Sequence, residues 1–179
     1  QLELGLGDLS AAQAHLDEAI VLHRTAGSAL YAAFTLATLA SCTRAAGYPE
    51  RAACELEEAE SALIACGEPV LAAVARGARA MADLEDGRVE VALAAFEAVL
   101  PALNGRFEEP HAHYLMGYGE ALARSGDPLT GMAMVRAAGE RVQARDWPRG
   151  TALAHSTRAR ILARAGHMDA AFEARDQAQ

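Results

Sequence analysis

The chain has 179 residues, of which 52% are hydrophobic and only 5% aromatic. Alanine occupies 44 positions, and so much of this strong helix former, with so few aromatic residues, favours an all-α fold over a β-rich one. The net charge of −8 disfavours direct nucleic-acid binding, and no apolar run is long enough for a membrane helix, which needs about 18 residues.

The charge is unevenly distributed along the chain. Residues 1–90 contain 14 acidic residues and 6 arginines, a net charge of −8, whereas residues 91–179 contain 10 of each. Two interpretations of the C-terminal arginines remain open: a solvated face with ion pairs inside helices, or a docking patch for an acidic partner. The arginines concerned are Arg136, Arg141, Arg145, Arg149, Arg158, Arg160 and Arg164.

Three cysteines, Cys42, Cys54 and Cys66, are widely spaced and form no metal-binding pattern. Buried cysteine behaves as a small hydrophobic residue. We therefore expect all three to pack between helices, in a protein of a reducing, cytoplasmic compartment.

A glycine recurs along the chain in steps of 40, 40, 39 and 40 residues. Such a fixed period is typical of repeat proteins. We call the helix before each glycine helix A and the helix after it helix B. The repeating glycines are Gly7, Gly47, Gly87, Gly126 and Gly166.

Apolar residues at helical spacing and turn residues predict nine helices. In chain order they cover about 9–25, 28–46, 49–65, 69–85, 89–104, 110–125, 128–145, 148–165 and a last segment after Gly166. Ser28 and Asp127 are predicted N-caps, and Asp146-Trp147-Pro148 repeats the cap-and-proline pattern. Residues 1–6 resemble the end of a helix, so we expect a fragment of a longer protein with a truncated first repeat. No linker is evident, so 1–179 is predicted to be one domain.

Five residues after each repeating glycine stands a small residue, which is expected to let helices A and B approach closely. These are Ala12, Ala52, Ala92, Gly131 and Ala171. Bulkier residues four positions further on are expected to fill the space between repeats: Leu16, Leu56, Phe96 and Val135. Ala92 is thus predicted to face the neighbouring helix and Ala94 to face outward. Stacked helix pairs would bury a continuous core and leave a concave face lined by helices A.

This pattern around the glycine resembles the second half of a tetratricopeptide repeat (TPR), and Leu36, Leu39 and Ala40 resemble the first half. The resemblance implies an α-solenoid, a right-handed superhelix of antiparallel helix pairs with about 4.5 TPR-like repeats. Repeats of about 40 residues are similar to those in the sensor region of the bacterial maltose-regulon activator and other large LuxR-type regulators. The sequence departs from the family where large apolar residues are usual: Arg76, Arg79, His155 and Arg158.

Helix A positions 13, 10, 6 and 3 residues before the glycine are predicted to point into the concave face. Methionine and phenylalanine there suit an apolar side chain, and Arg44 and Glu120 suit a peptide's polar groups. The alternative for each residue is simple packing between helices. The candidate binding residues are Phe34, Ser41, Arg44, Met81, His113, Met116, Glu120, Ser156 and Arg160.

The densest polar cluster, residues 108–114, contains His111 and His113, whose i, i+2 spacing points the side chains apart. Glu109, His113 and Glu120 could share a helix face, but no established metal-binding motif is present. We interpret the cluster as a helix start whose acids favour the helix dipole. No metal, cofactor or catalytic residue is predicted, and no enzyme activity is expected.

Two functions of different class follow. The first is a non-enzymatic interaction scaffold that binds a peptide or protein segment in the concave groove. The alternative, implied by the resemblance, is an effector-sensing and self-associating region of a bacterial signal-transduction ATPase or LuxR-type transcriptional regulator. Both predict protein partners, with neither direct nucleic-acid contact nor membrane insertion.

Overall fold

A computed structural model describes residues 9–178, and over this range it contains nine helices and no strand. The all-α prediction is confirmed, whereas the expected helix end at 1–6 and the turn at Gly7 lie outside the described residues. The helices are α1 (Leu9–Thr25), α2 (Ala29–Ala45), α3 (Pro49–Ala65), α4 (Pro69–Glu85), α5 (Val89–Leu103), α6 (Glu108–Ser125), α7 (Pro128–Gln143), α8 (Pro148–Arg164) and α9 (Met168–Asp176).

Every turn between consecutive helices contains one residue with a positive φ, and seven of the eight are glycine. Glycine is favoured because a Cβ penalises the left-handed conformation that closes a helix C-terminus. The steps between these residues are close to 20, so each 40-residue repeat consists of two similar helix-turn halves. The glycines are Gly27, Gly47, Gly67, Gly87, Gly105, Gly126 and Gly166.

The eighth turn corrects the prediction at Asp146. Asp146 takes the left-handed position with φ 50°, and Trp147 is the residue that precedes α8 as its N-cap. Aspartate tolerates this conformation better than most residues with a side chain. The N-cap predicted at Asp127 is confirmed, because its carboxylate accepts a hydrogen bond from the Thr130 N–H at 3.1 Å.

Two helix starts differ in detail from the prediction. Helix α6 begins at Glu108, two residues before the expected Pro110, which still lies in the first turn where no backbone donor is needed. Ser28 occupies the N-cap of α2, but its side chain makes no capping hydrogen bond.

The chain divides into two compact units, Gln1–Ala82 and Asp83–Gln179. That the whole chain is one domain stays a prediction. In the first unit, consecutive helices pack through small cores. One core joins Ile20, Leu36, Leu39 and Ala59, and another contains Ala40, Ala52 and Leu56. In the second unit, one core lies between α6, α7 and α8 and contains Ala112, Leu115, Met116, Ala138, Val142 and Ala154.

The predicted packing positions are confirmed. The five small residues are all buried, Ala92 is buried and Ala94 is exposed. Among the bulkier positions Leu56, Phe96 and Val135 are buried and Leu16 is half-buried. The offset from the repeating glycine therefore correctly predicts which side of helix B faces the core.

Two glycines bring α6 and α7 into backbone contact. A Cβ built on Gly119 would lie 2.5 Å from the carbonyl oxygen of Gly131, and one built on Gly131 would overlap the carbonyl oxygen of Gly119. Neither position can accept a side chain without a shift of backbone, so this helix pair depends on both glycines.

The cysteine prediction is correct only in part. All three thiols are free, but Cys42 alone is buried, while Cys54 and Cys66 are exposed. Burial raises the pKa of the Cys42 thiol. The two exposed cysteines face solvent at the surface of α3 and at its C-cap, so they do not serve as packing residues.

Candidate functional site

Residues at equal offset from the repeating glycine become neighbours in the second unit. Glu120 on α6 and Arg160 on α8 both lie six residues before their glycine. The Nε and Nη2 atoms of Arg160 donate to Oε2 of Glu120 at 3.0 and 2.7 Å, and Nη2 also donates to the Thr157 hydroxyl at 2.9 Å. Successive helices A thus present matching positions side by side, as the repeat predicted. The two charged candidates satisfy each other, and Glu120 is only 9% exposed.

In the first unit, two of the three candidates on α2 lie at the surface. Phe34 is 46% exposed and Ser41 is exposed. Tyr31, one turn before Phe34, is 60% exposed and its ring lies 5.6 Å from that of His23. Tyr31 is not among the residues predicted from the sequence, although its spacing of three residues from Phe34 places both on one helix face.

The remaining candidates of the first unit are half-buried. Arg44 donates a hydrogen bond to the carbonyl oxygen of Ala82 at 3.3 Å, and Met81 is half-buried on α4. Arg44 therefore has a structural contact between α2 and α4.

The other three candidates of the second unit are buried or half-buried. Met116 is 1% exposed and belongs to the core of α6, α7 and α8, so it has no surface to offer a partner. Ser156 is half-buried. His113 is half-buried with its ring stacked 5.6 Å from that of Tyr114, and burial lowers its pKa.

Helix geometry explains why Met116 differs from Phe34. At about 100° per residue, positions 13 and 6 before the glycine lie within about 20° of each other on the helix surface. Position 10 is turned from them by about 40–60°. The other residues at position 10, Ala37, Gly77 and Ser156, are likewise buried or half-buried. Positions 13 and 6 hold buried and half-buried residues too, but the exposed ones, Phe34, Ser41 and Arg160, all occur there. The predicted binding face thus combines two neighbouring faces of helix A.

The interface between α3 and α4, which we call the α3–α4 seam, contains the first departure from the TPR pattern. Arg76 Nε donates to Oε1 of Glu60 at 2.7 Å, and Arg79 lies 3.5 Å from Oε2 of the same carboxylate. Arg79 also contacts Glu57 at 3.4 Å. Glutamates on helix B thus satisfy the arginines that stand where apolar residues are usual.

The interface between α7 and α8, which we call the α7–α8 seam, contains the second departure from the TPR pattern, His155 and Arg158. A cavity of about 460 Å³ lies here. Neither Arg136 nor Arg158 makes an ion pair within residues 9–178. The cavity is lined by Met132, Val135, Arg136, Gly139, Glu140, Gln143, Thr151, Ala154, His155 and Arg158.

The two seams occupy equivalent places in the repeat. Counted from the repeating glycines, His155 and Arg158 correspond to Arg76 and Arg79. By the same count, Arg136 and Gly139 of α7 correspond to Glu57 and Glu60 of α3. The α7–α8 seam therefore keeps a basic helix A but lacks both carboxylates that the α3–α4 seam supplies. This cavity was not among the predicted sites, although the departures at His155 and Arg158 were its signal in the sequence.

Other arginines of the second unit pair between helices. Arg141 of α7 and Arg145 of the turn that follows it lie 3.9 and 3.7 Å from the carboxylate of Glu108. Arg141 also lies 2.9 Å from Nδ1 of His111. Burial, followed by the charge of Arg141, lowers the pKa of His111. The expected ion pairs inside helices are thus wrong for Arg141, Arg145 and Arg160, because their partners lie on other helices. Arg136, Arg149, Arg158 and Arg164 have no ion pair in the described part of the chain.

Within residues 9–178 there is no group of three or more His, Cys, Asp or Glu side chains placed to hold a metal ion. In the same range no helix is long and apolar enough to cross a membrane.

Comparison with known proteins identifies the fold. No protein-family model matches the sequence, and no curated protein matches it. Two crystal structures of a candidate kinesin light chain from Podosopora anserina, with nearly identical TPR-like repeats, are similar to it. One of them, a point variant of that protein, has a TM-score of 0.65 and 15% identity, with 98% of this chain and 87% of that chain covered. The other structure has a TM-score of 0.63 and 15% identity, with coverages of 98% and 88%. The chain therefore has a TPR-like repeat fold, an all-α array of helix pairs.

Proposed function

We propose that the chain is a non-enzymatic interaction scaffold that binds a peptide or protein segment along helices A. The fold supports this, because TPR-like arrays leave the faces of successive helices A side by side. The observation that carries the proposal is the exposed aromatic pair on α2, Tyr31 and Phe34. Large aromatic side chains are the usual anchors of protein interfaces.

The binding surface proposed for the first unit follows one face of α2. Phe34 and Ser41 are exposed at positions 13 and 6 before the glycine, and Tyr31 extends the row by one turn. The aromatic rings would anchor apolar side chains, and the Ser41 hydroxyl would accept or donate a hydrogen bond to the peptide backbone. In the second unit, Ser156 and the exposed side of the Glu120–Arg160 pair are the corresponding candidates.

Selection from a displayed peptide library would test this proposal, followed by affinity measurements on the peptides recovered. Phe34→Ala should weaken binding at least about tenfold, as expected for an interface anchor worth more than about 1.4 kcal/mol. Leu22→Ala on α1 is the matched control, since Leu22 is an exposed apolar residue of the same unit. Equal affinities for the two variants would refute the α2 surface.

A second candidate function is the effector-sensing and self-associating region of a bacterial regulator. The open cavity of the α7–α8 seam favours it, because a pocket of this size suits a small molecule. Sedimentation velocity with and without a cavity ligand would test it, and an unchanged oligomeric state would exclude the sensor function. The three free cysteines support a cytoplasmic location for either candidate.

A further inference from the structure

We propose that the α7–α8 cavity binds a small organic acid. Its carboxylate would take the place that the Glu57 and Glu60 carboxylates occupy in the α3–α4 seam. The proposal is independent of peptide binding by α2. For the sensor function proposed above, this acid would be the effector. The proposal depends on the cavity alone and does not require that binding change self-association.

Charge is the first support. Arg136 and Arg158 supply two positive charges at the cavity wall, and Glu140 is the single carboxylate among the lining residues. Neither arginine makes an ion pair in the described residues. Guanidinium groups bind carboxylates through paired, charge-assisted hydrogen bonds. In the equivalent seam, Arg76 donates such a hydrogen bond to Glu60, and Arg79 lies 3.5 Å from the same carboxylate. A ligand carboxylate would therefore supply what α7 lacks.

The shape and apolar wall of the cavity determine the rest of the ligand. Val135 and Ala154 are buried at its base, and Met132 adds a flexible apolar side chain. A volume of about 460 Å³ exceeds what a bare anion needs. It is within the range of about 300–1,000 Å³ usual for small-molecule sites. An acid with a short apolar chain fits both parts of the wall.

Gly139 lines the cavity without a side chain of its own. A Cβ at this position would meet only the Cβ of Ala154 outside its own helix, at an ordinary contact distance of 3.5 Å. The backbone conformation is helical, so a side chain could be accommodated here, unlike at Gly131 on the same helix. Gly139 therefore adds no side chain to the cavity that Arg158 also lines.

Titration calorimetry of the whole chain with hexanoate tests the proposal, with hexanol and inorganic phosphate as comparison ligands. Hexanoate should bind at one site and more tightly than either comparison ligand, because hexanol lacks the charge and phosphate lacks the apolar chain. Arg136→Gln and Arg158→Gln should each weaken hexanoate binding at least about tenfold, the loss expected for a charge-assisted hydrogen bond. Arg149→Gln is the control, since Arg149 is exposed on α8 outside the cavity. It should leave the affinity unchanged.

Methyl NMR locates the ligand even where a variant alters folding. Hexanoate should shift the methyl signal of Met132 at the cavity wall and leave that of Met81 unchanged. The proposal is overturned if hexanoate does not bind, if phosphate or hexanol binds as tightly, or if Arg158→Gln and Arg149→Gln have equal affinities. Binding that leaves the sedimentation behaviour unchanged would exclude the sensor function while the cavity site stands.

Discussion

The α3–α4 seam and the α7–α8 seam occupy the same place in the repeat but differ in what fills them. In the first, Glu57 and Glu60 of helix B neutralise the arginines of helix A. In the second, Arg136 and Gly139 stand at those positions, and a cavity of about 460 Å³ remains. Both seams join a helix B to the helix A that follows it, and they differ in the side chains at two positions of helix B.

The comparison shows how a repeat can change a structural contact into a binding site. A buried carboxylate that pairs with arginine stabilises a seam from within the chain. When the carboxylate is missing, the arginines remain accessible to an external anion. The same place in the repeat therefore serves stability in the first unit and, in our proposal, recognition in the second.

The largest expected effect is a difference in stability between alanine substitutions at two glycines of α7, Gly131 and Gly139. Gly131→Ala should destabilise the protein by about 1–3 kcal/mol, because the new Cβ would overlap the Gly119 carbonyl oxygen. Gly139→Ala should stabilise it by up to about 1 kcal/mol through helix propensity, since there is room for the methyl group. Urea denaturation of both variants measures the difference. Similar changes of the same sign would mean that α7 is equally tight at both glycines.

The next largest effect is a difference in stability between one substitution in each seam, Glu60→Gln and Arg158→Gln. Glu60→Gln should reduce the free energy of unfolding by about 1–2 kcal/mol, because Arg76 and Arg79 lose a carboxylate that is itself largely buried. Arg158→Gln should change it by less than about 0.5 kcal/mol, since no ion pair is lost. Denaturant titrations at low salt compare the two. An equal loss in both variants would show that Arg158 has a stabilising partner.

The smallest expected effect is on the pH dependence of stability, through the half-buried side chain of His113 on α6. Burial lowers the folded-state pKa of His113 below its usual value of about 6.5. The unfolded state therefore takes up the proton first. The resulting stability is fully present above about pH 6.5 and declines as the pH falls towards the folded pKa. Between about pH 7.5 and 5.5, His113→Phe should therefore lose less stability than the wild type, because phenylalanine takes up no proton.

Urea titrations at the two pH values measure this, with His167→Gln at the exposed N-cap of α9 as the control. The control should keep the pH dependence of the wild type. If His113→Phe also keeps it, the burial of His113 does not contribute to the acid sensitivity.

The sequence predicted the helices well because their ends depend on local requirements. Glycine is favoured in a left-handed turn. The glycines between the helices therefore predict the helix boundaries to within about two residues. Asp146 was assigned the wrong role because aspartate serves as an N-cap and also tolerates the left-handed turn. The buried Ala92 and exposed Ala94 followed from helical spacing alone.

The sites were harder to predict because they depend on residues from two helices. Glu120 and Arg160 were both proposed as ligand contacts, yet each is the other's partner across α6 and α8. His155 and Arg158 were recognised as unusual. Whether such a residue of helix A is paired or lines a cavity depends on the side chains of the facing helix B. At equivalent positions, α3 has Glu60 and α7 has Gly139. That difference is visible in the amino-acid sequence once equivalent positions of the two repeats are compared.

A double-mutant cycle between Gly139→Glu and Arg158→Gln tests the central claim most directly, with Gly139→Gln as the neutral reference of equal size. If the α7–α8 seam lacks only the carboxylate of its counterpart, Gly139→Glu should be more stable than Gly139→Gln at low salt. Arg158→Gln should remove that advantage, which gives a coupling energy of about 0.5–1 kcal/mol, the value typical of a partly exposed ion pair. A coupling energy of zero would contradict the claim, because Arg158 would then not face the position that Glu60 occupies in the α3–α4 seam.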